Sequence, residues 1–217
     1  MTTEIRILIA DDHPVFRRGL RQVIESAPGL KVIAEADDGS AALEIIRGVR
    51  PQIAVVDIHM PGMGGFDLIR AIREQNLPTA VIFLTMHNDE STFNAAMDLG
   101  AKGYVLKESA IGDITGSIRS VASGRSYISP AMSEFLLNRA DRASRLAAEQ
   151  PGLTQLTPTE MKILKLIADY KTSKEIADQL HIHYRTVDNH RTAISQKLGL
   201  HGSHALLKFA LENKSAL

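Results

Sequence analysis

The sequence predicts a doubly wound α/β domain built on a five-stranded parallel sheet, followed by a small all-α domain of four helices. Three observations carry this. Up to residue 125, short apolar runs alternate five times with segments of helical period, the pattern of a parallel sheet covered by helices on both faces. From 126 to 152 the alternation stops. From 153 onward the segments are helical throughout, and two of them open on nearly identical capping sequences. We therefore read 1–125 as one domain, 126–152 as a partly helical linker and 153–217 as a second domain.

Taken in order, Ile5 to Ala10 is an apolar run closed by Asp11-Asp12 and His13-Pro14. A helical pattern follows on Phe16, Leu20, Val23 and Ile24. Lys31 to Ala36 is the second strand, with Ala41, Leu43, Ile45 and Ile46 marking its helix. The third strand, Ile53 to Val56, reads as buried on both faces and stops at a single carboxylate, Asp57, before a Pro-Gly turn. Phe66, Leu68, Ile69 and Ile72 space the next helix. Thr79 to Thr85 is the fourth strand, and Phe93, Ala96, Met97 and Leu99 its helix. Gly103 to Leu106 is a short fifth strand ending at Lys107, and Ile111, Ile114, Ile118 and Val121 space the last helix.

Right-handed crossovers put all the carboxyl ends of such strands on one rim, where open α/β sheets bind their ligands. That rim collects Asp11, Asp12, Asp57, Thr85 and Lys107. Singly, each has an ordinary reading: Asp57 as an Asx cap, Thr85 as a β-residue, Lys107 as a solvated strand end, Tyr104 as a core aromatic. Together they describe a site. Three carboxylates repel one another unless a cation lies among them, and a hard divalent ion such as Mg²⁺ takes oxygen ligands of this kind. Lys107 would supply charge and Thr85 a hydrogen bond to a phosphoryl oxygen. The set suits an aspartate that accepts a phosphoryl group.

On Asp11-Asp12, Asp57 with Met60-Pro61-Gly62, Thr85, and Tyr104 three residues before Lys107, residues 4–123 resemble the receiver domain of two-component response regulators, a flavodoxin-like fold. The resemblance implies that Asp57 is phosphorylated from the phosphohistidine of a sensor histidine kinase. It implies Mg²⁺ held by Asp12, Asp57 and the backbone carbonyl of His59, with Asp11 acting through water, and a joint shift of Thr85 and Tyr104. Met86 stands where relatives more often carry a small residue. His59 and His87 each lie two positions past a site residue, which suggests that they tune hydrolysis of the acyl phosphate; solvent-facing rim histidines are the alternative.

Composition limits the remaining choices. The chain has 217 residues and no cysteine, which removes disulfides, thiolate metal sites and thiol nucleophiles. No apolar run reaches about 18 residues, so no membrane span is expected, and the first residues lack the pattern of a signal peptide. The cytoplasm is the expected location. The zero net charge hides a split: 13 Lys+Arg against 16 Asp+Glu in 1–125, and 9 against 6 in 153–217, where five of the eight histidines also fall. An acidic front and a basic back suggest different partners.

In the linker, Pro130 is expected to open a helix with Ser129 as its cap, and Arg139, Arg142 and Arg145 read as a solvated face. Beyond it, Thr157-Pro158-Thr159-Glu160 and Thr172-Ser173-Lys174-Glu175 are capping boxes. A tight connection through His181-Ile182-His183 leads to a helix from about Tyr184 to Leu198, which makes a helix-turn-helix. Val187, Ile194 and Leu198 form its apolar stripe. Arg185, Asp188, Asn189, Thr192 and Gln196 lie opposite, side chains suited to base edges in a major groove, while Arg191 and Lys197 flank the stripe and suit phosphates. His181, His183 and His190 share no helix face and are not read as a metal site.

Residues 153–213 resemble the LuxR-type helix-turn-helix in Leu156-Thr-Pro-Thr-Glu160, Glu175-Ile-Ala177, Thr186-Val187, His190 and Lys197-Leu-Gly-Leu200. The whole chain is therefore similar to a NarL/FixJ-type response regulator. That implies a fourth helix, His204 to Glu212, used for dimerisation, and bases facing positions 188, 189 and 192. His183 replaces the usual serine, so a weaker cap on the recognition helix is expected. The implied function is phosphorylation-switched binding of a double-stranded DNA operator as a homodimer, with RNA polymerase as a further partner and no enzymatic turnover beyond the chemistry at Asp57. A DNA binder with a degenerate receiver and a Mg²⁺-dependent phosphatase are the alternatives; the intact acid set opposes the first, and the lack of a Gly-rich phosphate loop opposes the second.

Overall fold

The computed structural model describes residues 4–86, 88–202 and 204–217. His87 therefore lies outside the described residues. The chain divides into two compact units, one ending at Phe135 and the other beginning at Leu136.

The first unit alternates β1 (Ile5–Ala10), α1 (Pro14–Ser26), β2 (Leu30–Ala36), α2 (Gly39–Val49), β3 (Ile53–Asp57), α3 (Gly65–Glu74), β4 (Ala80–Thr85), α4 (Glu90–Asp98), β5 (Gly103–Leu106) and α5 (Ala110–Ala122). The strands alternate their side chains between two cores. Leu8, Val56, Phe83, Phe93 and Tyr104 fill one; Ile7, Ile9, Val55, Leu84, Ile114 and Ile118 fill the other. Burial on both faces explains why these strands read as continuous apolar runs.

The sheet has six strands, not the expected five, in the order β2-β1-β3-β4-β5-β6. The added edge strand β6 (Tyr127–Ile128) pairs parallel with β5, Tyr104 opposite Ile128. It falls in the stretch read as linker. Two residues carry no periodicity, and it is the free edge of β5 that makes them a strand. A 3-10 turn follows at Pro130–Met132, but the Ser129 side chain does not cap it. The Ser129 hydroxyl instead donates to Asp113 Oδ2 at 2.6 Å.

Helix α6 (Ser133–Glu149) runs across the point of division between the units. The second unit contains α7 (Pro158–Ala168), α8 (Ser173–Leu180), α9 (Tyr184–Lys197) and α10 (Ala205–Glu212). Both capping boxes form, Thr157 with Glu160 and Thr172 with Glu175. Val187, Ile194 and Leu198 of the α9 stripe meet Ile163, Leu164, Ile167, Ile176 and Phe209 in one core. His183, where a weaker cap is expected, does cap α9 with its side chain: its Nδ1 accepts from the Arg185 backbone N–H at 3.2 Å. Among the described residues, no helix is long and apolar enough to cross a membrane.

Candidate functional site

The strand ends of the first unit bring the acids and the lysine together. Lys107 Nζ lies 2.8 Å from Asp11 Oδ2 and 2.7 Å from Asp57 Oδ2, and all three residues are buried. The second oxygen of each aspartate is fixed by its own turn. Asp11 Oδ1 accepts from the His13 N–H at 2.8 Å, and Asp57 Oδ1 from the His59 N–H at 3.2 Å. Asp57 is thus the Asx acceptor of its turn and also one arm of a buried ion triad. Gly65 lets the start of α3 close on the end of β3, since a Cβ there would lie 2.5 Å from the Asp57 carbonyl oxygen.

The electrostatics follow from burial. Desolvation pushes the Asp57 carboxyl above its ordinary value, while the Lys107 ammonium opposes the rise and Asp11 adds to it. Burial also acts to lower Lys107, but its hydrogen bonds and charge contacts with Asp11 and Asp57 win, so its pKa is raised. The cation therefore stays charged, and the ionisation of Asp57 depends on it.

The N-cap residue of α1 and two residues of its first turn complete the rim, and the strand-end rule did not single them out. His13 Nδ1 sits 2.7 Å from Asp12 Oδ1, and one ligand atom from each of Asp11, Asp12, His13 and Asp57 lies within 4.8 Å of the others. The Phe16 ring centroid lies 4.9 Å from Lys107 Nζ, a cation–π distance. Arg17 donates to the Asp11 carbonyl and, at 3.1 Å, to Glu35 Oε2. The signal was available in their sequence position, directly after the acid pair on the opening turn of a helix.

Thr85 and Tyr104 are both fully buried on neighbouring strands. Burial pushes the Tyr104 phenol up to about 12, with the Thr85 hydroxyl partly offsetting it. The Tyr104 ring meets Phe93 edge-on, centroids 5.3 Å apart. The Lys107 N–H donates to the Thr85 carbonyl at 2.8 Å, which ties the two strand ends together.

In the second unit, Arg185, Asp188, Asn189, Thr192 and Gln196 are exposed on α9 opposite its buried stripe, and Arg191 is half-buried. The Thr192 hydroxyl donates back to the Asp188 carbonyl at 3.1 Å. Lys197, read from the sequence as a phosphate contact, has its Nζ bonded to Glu160 Oε2 at 2.7 Å. The sequence placed it correctly on the flank of the helix but could not show a carboxylate on α7 within reach.

Comparison with known proteins agrees with this geometry. Residues 7–119 match the family model of the response regulator receiver domain, and residues 154–210 match that of the bacterial regulatory proteins of the luxR family. The nitrate/nitrite response regulator protein NarP of Escherichia coli is 32% identical over 214 residues, 99% of this chain and 98% of the relative. The solved receiver domain of the putative response regulator NarL from Mycobacterium tuberculosis is 36% identical with a TM-score of 0.55, covering 57% of this chain and 99% of that one. A structure of the two-component response regulator RcsB–DNA complex is 27% identical with a TM-score of 0.59, covering 95% of this chain and 98% of that one.

Proposed function

This chain belongs to the two-component response regulators that join a receiver domain to a LuxR-type DNA-binding domain, and from that premise we propose that phosphorylation of Asp57 controls its binding to an operator. The observation that carries the reading is the buried Lys107 ammonium bridging Asp11 and Asp57 beside the half-exposed Asp12. In this reading a carboxylate oxygen of Asp57 attacks the phosphorus of a phosphohistidine on a sensor histidine kinase. The P–N bond breaks, and its electron pair returns to the imidazole. Lys107 and the Thr85 hydroxyl stay with the phosphoryl oxygens, and Tyr104 follows Thr85.

The donor set fits Mg²⁺: hard carboxylate oxygens gathered at one point, with Asp12 open enough to solvent for waters to complete the shell. Asp12, Asp57 and the His59 carbonyl would hold the ion directly and Asp11 through water. When bound, it would neutralise charge on the transferring phosphoryl group. His59 and His87 are proposed to tune hydrolysis of the acyl phosphate.

The DNA-contacting set is Arg185, Asp188, Asn189, Thr192 and Gln196 toward bases and Arg191 toward phosphates. The likeness to an RcsB–DNA complex supports DNA binding as the role of a chain of this kind. Lys197 is better assigned to holding α9 against Glu160. Phosphorylation adds about −1.5 to −2 charge at the rim and favours a homodimer. Two linked half-site contacts then gain by effective concentration. We place 1–125, 126–152 and 153–217 as receiver, linker and DNA-binding segments, with the cytoplasm as the location and RNA polymerase as a partner.

The test is operator binding by the full chain with Mg²⁺ and a small-molecule phosphodonor, alongside Asp57→Ala. The wild type is expected to become labelled and to bind more tightly. Equal binding by both would overturn the reading.

A further inference from the structure

We propose that Phe135 is the positioning residue through which Tyr104 acts on the helix that leads into the DNA-binding half, an inference that rests on the phosphorylation reading above. Phe135 lies in the first turn of α6, and its ring centroid stands 5.9 Å from that of Phe93. Phe93 is fully buried and in turn meets the Tyr104 ring edge-on at 5.3 Å. Three rings thus form a continuous column from β5 through α4 to the start of α6.

The backbone runs alongside this column. Ser129 N–H donates to the Tyr104 carbonyl at 2.9 Å, and Ile128 pairs with Tyr104 across the sheet. Met132 and Ile128 pack into the same core as Tyr104 and Phe93. A second fastening starts at the lysine end of the site. Ser109, two positions beyond Lys107, donates to Asp113 Oδ2 at 2.8 Å, and Ser129 donates to the same oxygen at 2.6 Å. The segment 127–135 is therefore anchored directly to Tyr104 and, through Asp113 and Ser109, to the turn two positions beyond Lys107.

Close-packed interiors change between discrete arrangements rather than deforming smoothly. A displaced Tyr104 ring removes the edge against which Phe93 sits, and Phe93 then changes the seat of Phe135. Phe135 is only half-buried, whereas Phe93 and Tyr104 are fully enclosed. It can therefore be altered with the least damage to the sheet.

The test uses the full chain as wild type, Phe135→Leu and Phe135→Ala, with Mg²⁺ and acetyl phosphate. Asp57 labelling is followed by intact mass. Affinity is measured with and without phosphodonor for a duplex selected from a random-sequence pool by the phosphorylated wild type. The ratio of the two affinities is the decisive readout, because a merely structural role for Phe135 would shift both values together. Both variants are expected to label at the wild-type rate while the ratio falls at least five-fold, with less loss in Phe135→Leu. Hydrogen exchange in 133–138 is expected to respond to phosphodonor in wild type and not in Phe135→Ala. If Phe135→Ala does not fold, Phe135→Leu decides. Normal labelling with a wild-type ratio in the folded variants would overturn the inference. A wild type that fails to label, or labels without tightening, would overturn the phosphorylation reading and this inference with it.

Discussion

Lys197 Nζ lies 2.7 Å from Glu160 Oε2, joining the last turn of α9 to the first turn of α7. The same carboxylate oxygen accepts from the Thr157 N–H at 2.7 Å. One buried acid therefore closes a capping box and sets the position of the helix proposed to read DNA.

Stability of the second unit is expected to depend on this acid. The Lys197 hydrogen bond and the Thr157 backbone N–H lower the Glu160 pKa from 4.5 to about 2. A carboxyl whose folded pKa is depressed stabilises the fold above its unfolded value. Its contribution is complete above pH 4.5, declines as the pH falls and is gone below about 2. Glu160→Gln is expected to cost about 1–3 kcal/mol at pH 7. Urea melts at both ends of this window should show the gap between wild type and variant closing in acid; a gap independent of pH would contradict the assignment.

Lys107→Met is expected to cost about 3–5 kcal/mol, because it leaves two buried carboxylates without their cation. The Asp57 pKa should then rise further, because the lysine that opposes its rise is gone. Mg²⁺ supplies replacement charge, so it should raise the melting temperature of the variant more than that of wild type. Thermal melts across a Mg²⁺ series measure this, and a variant that ignores the ion would argue against a cation site at these acids.

Asp57→Asn keeps the shape of the side chain but removes the nucleophilic charge. It should abolish labelling by a phosphodonor and the gain in DNA affinity, while binding without phosphodonor stays near the wild-type value. Intact mass and mobility-shift titration report the two effects separately.

On α9, Arg185→Ala or Asn189→Ala should cost about 1–3 kcal/mol on the selected duplex and little on unrelated sequence. Arg191→Ala should weaken both duplexes alike and reduce the slope of log affinity against log salt by about one. Lys197→Ala, by contrast, should lower the melting temperature. Salt titrations with the two duplexes separate these outcomes.

Much of the site was legible because its residues occupy positions that a rule can name. Asp11, Asp57, Thr85 and Lys107 each end a strand, and parallel connections carry all such ends to one rim. Asp57 and Lys107 are 50 positions apart, yet the topology carries both to the same rim, where the structure shows them in contact. His13, Phe16 and Arg17 end no strand, so the same rule passed over them, although they turn toward the acids from the start of α1.

The sequence by itself determined the alternation of strands and helices, both capping boxes and the apolar stripe of α9, because periodicity and capping are set by residues a few positions apart. Only the tertiary structure decided that Tyr127–Ile128 adds a sixth strand, that Lys197 meets Glu160 37 positions away, and that Tyr104, Phe93 and Phe135 stack in one column. Each of these depends on what lies across a gap between elements: an open strand edge, a carboxylate within reach, an aromatic face. Chain order does not carry that information until packing has fixed which surfaces face each other.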